Sequence, residues 1–158
     1  MKNTNNKTAA DFAKSILAVH NRERAAVGVP PLVWSDKLAA DAKPWAEHLA
    51  TTAEFGHPTA EWVAAHPTGP EGENLAGFFR DVSEPNGGQS LWVDEKKDYH
   101  AGTPCCKPGE PITGHYTQMV WNTTKAVGCA TASGNGHPFS ILICRYSPPG
   151  NILGLPPY

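Results

Sequence analysis

The run Ile141-Leu142-Ile143, set inside the β-rich stretch Phe139–Tyr146, constrains this chain more than any other feature. Three branched apolar residues in succession leave no polar face, so a strand through them must be central and covered on both sides. A second β-rich stretch, Val127–Thr131, precedes it across Ser133-Gly134-Asn135-Gly136, a turn signal that predicts a hairpin. The covering layers have to come from helices, and these lie early in the chain. Phe12, Ile16, Val19, Glu23 and Val27 recur at helical spacing from Thr8 onward, and Gly28 stands where a glycine ends a helix. Pro30-Pro31 forbids continuation, and Leu32-Val33-Trp34 reads as a short extended piece. Ser35 caps a second helix with Leu38, Ala42, Trp45, Ala46 and Leu49 on one face, and Pro44 predicts a bend within it. A third helix over Ser90–Tyr99 brings Trp92, Glu95 and Tyr99 to one face. A short fourth, capped by Thr113 and reaching about Thr123, stacks His115, Met119 and Asn122. Helices first and strands last favour a helix-sheet-helix sandwich of the α+β class over a doubly wound fold.

Between these elements, residues 56–72, about 80–88 and 101–111 read as loops, which is where many of the fifteen Pro and fifteen Gly fall. A chain of 158 residues fits one domain, expected over residues 8–158 behind a polar, disordered tail of residues 1–7. A net charge of −2 with no Lys/Arg block excludes an electrostatic nucleic-acid footprint. No apolar run approaches the ~20 residues of a transmembrane helix. Cys105, Cys106, Cys129 and Cys144 all lie in the last third. Such an even, clustered set suits one or two disulfides and an oxidising compartment, with three complete pairings open. Cys129 and Cys144 fall on neighbouring strands, but a hairpin centred near Asn135 does not place them opposite each other. A zinc site is the competing use; against it, no C-x-x-C pair exists and adjacent cysteines rarely serve one metal.

Chemistry can be carried by a few carboxylates and histidines in apolar settings. His115 opens the run Tyr116-Thr117-Gln118-Met119-Val120-Trp121, Glu95 shares a face with Trp92 and Tyr99, and Glu73 sits in Gly72-Glu73-Asn74-Leu75. A carboxylate in such surroundings must pair, accept a hydrogen bond or shift its pKa upward. Taken singly, each is more often a satisfied structural partner than a functional group. Their combination resembles the CAP superfamily: cysteine-rich secretory proteins, antigen 5 and pathogenesis-related group 1 proteins. The resemblance runs through His20-Asn21-Arg22-Glu23-Arg24, Gly28, Pro31-Leu32-Val33-Trp34, Gly72-Glu73-Asn74-Leu75-Ala76 and Trp92-Val93-Asp94-Glu95. It continues through Gly114-His115-Tyr116-Thr117-Gln118-Met119-Val120-Trp121, Gly128-Cys129 and Ile143-Cys144-Arg145-Tyr146-Ser147-Pro148-Pro149-Gly150-Asn151.

That resemblance implies a three-layer α-β-α sandwich with a central, mostly antiparallel sheet and a large cleft. It implies a cleft tetrad of His57, Glu73, Glu95 and His115, the two histidines ligating zinc or another divalent metal with modest affinity. His66 occupies the same long loop as His57 and competes for the first ligand position; His57 lies nearer a rigid element. His20 reads as structural, and His48, His100 and His137 as surface residues. It further implies an extracellular protein, although Met1–Thr8 lacks the apolar segment of a secretion signal. Three functional readings follow. The first is a secreted, defence-type binding module for a lipid, a cell surface or a protein partner; sterol binding has weak support, because the loop implicated in it in some members bears aromatic residues and Ala101–Thr113 carries none. The second is a metal-dependent hydrolase with Glu73 or Glu95 as base, since Gly77-Phe78-Phe79-Arg80 offers no serine nucleophile. In the third, Pro148–Tyr158 resembles a signalling peptide released from some plant group 1 proteins, set against the plainer reading of a packed C-terminal segment.

Overall fold

The computed structural model describes residues 8–79 and 86–158; the expected N-terminal tail lies outside them. Its elements are α1 (Ala9–Ala26), β1 (Val33–Trp34), α2 (Asp36–Thr51), α3 (Ala60–Ala65), β2 (Gly72–Phe78) and α4 (Asn86–Asp94), which runs into a 3-10 turn (Glu95–Asp98). α5 (Gly114–Met119), β3 (Ala126–Ala132) and β4 (Ser140–Ser147) complete the chain. The strand order is β1-β3-β4-β2, antiparallel except where β1 joins β3. β4 is therefore central, as its apolar run requires.

Alternation along β4 divides the core in two. Leu142, Cys144 and Tyr146 join Ile16, Trp92, Tyr116 and Met119 in one cluster, beneath α1, α4 and α5. Ile141 and Ile143 point the other way, to Ala42, Trp45, Ala46 and Leu49 of α2. Helices on both faces of one sheet make the three-layer sandwich. α1 begins with a capping box between Thr8 and Asp11 and ends before Gly28, whose φ of 75° suits glycine. α2 starts on the Ser35 side chain and continues through Pro44. Its first turn lies so close to β3 that a methyl at Gly128 would overlap Ser35 O and Ala39 N.

Several boundaries differ from expectation, each for a physical reason. The 56–72 loop contains α3, started by Thr59 accepting from Trp62 N–H. α4 begins at Asn86, inside the expected 80–88 loop, because Gly88 packs without a side chain against Leu142 and Ala76; residues 80–85 of that loop lie outside those described. α5 stops at Met119 rather than Thr123. The Arg24 guanidinium takes Met119 O at 3.0 Å and Trp121 O at 2.8 Å, while Asn122 N–H donates to Pro157 O. Thr113 precedes α5 but its side chain makes no capping bond.

The hairpin is also re-registered. Ala132 pairs with Ile141, and Gly136 N–H donates to Ala50 O, so the turn docks on the end of α2 instead of closing tightly at Asn135. Cys129 and Cys144 are thereby directly opposite and joined, and Cys105 is joined to Cys106. The C-terminal segment is held at both ends: Asn151 Nδ2 donates to Gly114 O, and the Tyr158 ring lies 6.0 Å from that of Tyr99.

Candidate functional site

Four elements deliver the cleft residues. His57 follows α2, beside Gly56, whose carbonyl accepts the Trp45 indole N–H at 3.0 Å. Glu73 is on β2, where the register sets it opposite Arg145 of β4. Glu95 opens the 3-10 turn after α4, and His115 is the second residue of α5. His57, Glu73 and His115 line one cavity of about 510 Å³ together with Asn74, Cys106 and the loop from Lys107 to Gly114.

Each histidine is paired with one carboxylate in the same way. His57 Nδ1 lies 2.6 Å from Glu73 Oε1, and His115 Nδ1 lies 2.6 Å from Glu95 Oε1. A carboxylate can only accept, so Nδ1 of both rings carries the proton and Nε2 keeps its lone pair in the neutral form. The second oxygens are also engaged. Glu95 Oε2 accepts Tyr116 N–H at 2.9 Å, satisfying an amide that α5 leaves unpaired at its start. Glu73 Oε2 forms an ion pair with Arg145 Nε at 2.8 Å. Arg145 in turn reaches Glu71 Oε2 at 3.5 Å.

These contacts have electrostatic consequences. The Glu73 hydrogen bond raises the pKa of His57 above its ordinary value, against opposing effects of burial and of Arg145. The Trp92 ring stacks parallel to His115, 6.1 Å between centroids. Asn74 ties the site to the core, donating to His115 O at 3.0 Å and to Tyr146 OH at 3.2 Å.

The structure therefore joins His57 to Glu73 and His115 to Glu95, and brings His57, Glu73 and His115 to one cavity. His66 does not line the cavity that His57 shares with His115. It stacks on Trp62 at 4.0 Å, its Nδ1–H donates to Trp62 O, and it lines an adjoining cavity of about 370 Å³ that His57, Glu73 and Arg145 also border. His20 is fully buried between Ile16 O and Tyr146 OH, as a structural residue should be. His48 does more than sit on the surface: it stacks on Trp45 and bonds Glu54. Arg145 and Glu71 were not anticipated as site residues; only the β2–β4 register exposes the Glu73–Arg145 pairing. Among the described residues no cluster of three or more His, Cys, Asp or Glu could hold a metal ion. Nor is any described helix long and apolar enough to cross a membrane.

Residues 17–146 match a family described as CAP, the cysteine-rich secretory protein family. Pathogenesis-related protein 1C of Nicotiana tabacum is 38% identical over 150 residues, covering 95% of this chain and 83% of that protein. Pathogenesis-related protein PRMS of Zea mays is 39% identical over 146 residues, covering 90% and 80%. Among solved structures, hookworm platelet inhibitor matches with a TM-score of 0.74 at 21% identity, covering 98% of this chain and 79% of the other. The structure of NaASP2 with Zn2+ matches with a TM-score of 0.74 at 18% identity, covering 98% and 88%. At such identities the structural likeness establishes the fold.

Proposed function

Since this chain belongs to the CAP family of cysteine-rich secretory proteins, we propose that its cleft is a divalent-metal site in a secreted, defence-type binding module. His57 and His115 are the ligands, each through Nε2, and zinc is the metal that suits them best. One observation carries the reading: two imidazoles bordering one cavity each give Nδ1–H to a carboxylate at 2.6 Å. That is the supporting arrangement metal-bound histidines use, fixing the tautomer and raising ligand basicity. The metal would supply Lewis acidity or a link to a partner's oxygen or nitrogen atom. With two protein ligands, affinity is modest.

The hydrolase reading gains no support. Both oxygens of Glu73 and of Glu95 are already engaged by Nδ1–H, an amide or a guanidinium. Such carboxylates are poor bases for water. The partner class stays that of the family reading: a lipid, a cell surface or another protein.

Calorimetry with zinc chloride tests the site. The wild type is expected to bind about one ion, and His57→Ala and His115→Ala to lose at least tenfold in affinity, as for loss of one of few ligands. Unchanged affinity in either variant would remove that residue from the site. Casein turnover that disappears with chelator and with Glu73→Gln would restore the enzymatic reading.

A further inference from the structure

The two disulfides of this chain differ in kind. Cys129–Cys144 crosses the centre of the sheet, with exposures of 3% and 0%. Cys105–Cys106 joins neighbours in sequence, Cys105 half-buried and Cys106 exposed. A cross-link between adjacent residues closes no loop of chain, so it removes almost no freedom from the unfolded state. Stabilising the fold is therefore not its role. Its position is informative instead. Cys106 lines the cavity bordered by His57, Glu73 and His115, and its sulfur lies where a Cβ on Gly114 would come within 3.0 Å. Its φ of 71° is left-handed, a conformation that L side chains rarely hold. The following residues, Lys107 to Gly114, form the same cavity wall and lead directly into His115.

We propose that Cys105–Cys106 is a thiol-exchange site that sets the wall of the histidine cleft, opened by a dithiol reductant while Cys129–Cys144 stays closed. A thiolate of the reductant attacks the exposed Cys106 sulfur and forms a mixed disulfide. The Cys105–Cys106 bond breaks, and Cys105 leaves as a thiolate that takes up a proton. The reductant's second thiol then attacks its own sulfur in the mixed disulfide. This releases Cys106, which is protonated in turn, and leaves the reductant as a cyclic disulfide. Two electrons and two protons pass to the cysteine pair. With the covalent constraint gone, Cys106 is free to leave its left-handed conformation and the 107–114 wall moves with it. The proposal does not depend on metal binding.

Trypsin separates the two bonds. It cuts after Lys97, Lys125 and Arg145 and spares Lys107, which precedes proline, so each disulfide falls within its own peptide. The full chain is equilibrated with graded dithiothreitol, alkylated with N-ethylmaleimide, digested and weighed. Residues 98–125 are expected to gain two alkyl groups at reductant levels where residues 126–145 gain none and circular dichroism is unchanged. Simultaneous alkylation of both peptides, or free Cys105 and Cys106 in the air-oxidised protein, would overturn the proposal. In nitrogen-15 correlation spectra, the same reduction should shift the amides of His57, Gly114 and His115 and leave Gly128 and Cys129 in place. Static cleft amides would show that the bond does not set the wall.

Discussion

Arg145 shows how one side chain can tune a histidine through the carboxylate between them. Its guanidinium pairs with the Glu73 oxygen that His57 does not use. Glu73 raises the His57 pKa and Arg145 works against that rise. A proton on Nε2 excludes a metal, so zinc affinity should fall as pH drops below that raised pKa, by about tenfold per unit once the ring is protonated. Arg145→Gln removes the opposing charge. The His57 pKa should then move further up, and the loss of zinc affinity should begin at a higher pH. Titration of the His57 ring by NMR, beside calorimetry from pH 8 to 5.5, checks both; an unmoved His57 pKa would refute the role given to Arg145. Glu73, Glu95 and His115 were legible from their motifs, and His57 from its closeness to α2. Arg145 was not, because its meaning depends on a cross-strand neighbour more than seventy positions away, and sequence patterning reports periodicity within a segment rather than pairing between segments.

Elements are limited by one another in the same way. Arg24 is fully buried on α1 and donates to four backbone carbonyls, those of Pro30, Met119, Trp121 and Thr124. It thus satisfies the chain leaving α5 and fixes where that helix stops. Arg24→Leu would strand those carbonyls in the interior. We expect a loss of about 3–5 kcal/mol in urea unfolding, the range for breaking a buried charged network. A loss under about 1 kcal/mol would show that water replaces the guanidinium. α1 and α2 were readable because Thr8, Ser35 and Gly28 punctuate apolar stripes of helical period. β4 was readable because an apolar run needs two covers. The extent of α5, the start of α4 and the existence of α3 were not. The first is set by Arg24 from another helix, the second by a glycine packed beneath Leu142, and the third was masked by the prolines and glycines around it.

At the scale of the whole molecule, His20 links the layers. Its Nδ1–H donates to Ile16 O on α1, and its Nε2 accepts from Tyr146 OH on β4, a hydroxyl that itself accepts from Asn74 on β2. These three hydrogen bonds each have a donor and an acceptor only while His20 is neutral. Burial pushes its pKa down to about 4. The unfolded chain, with a His pKa of about 6.5, then binds a proton that the folded chain refuses. Stability from this group is full above about pH 6.5 and is lost as pH falls toward 4, at up to about 1.4 kcal/mol per unit. His57 has the opposite sign: its pairing with Glu73 contributes fully below about pH 6.5 and is lost as pH rises through its raised pKa. The His57 gain is thus complete before the His20 loss develops. Urea unfolding at pH 7, 6, 5 and 4.5 should show falling stability over the lower part of this range. His20→Gln should be less stable at pH 7 but flatter between pH 6 and 4.5. Parallel slopes for the two proteins would mean that acid loosens the fold somewhere other than at the junction of α1 and the sheet.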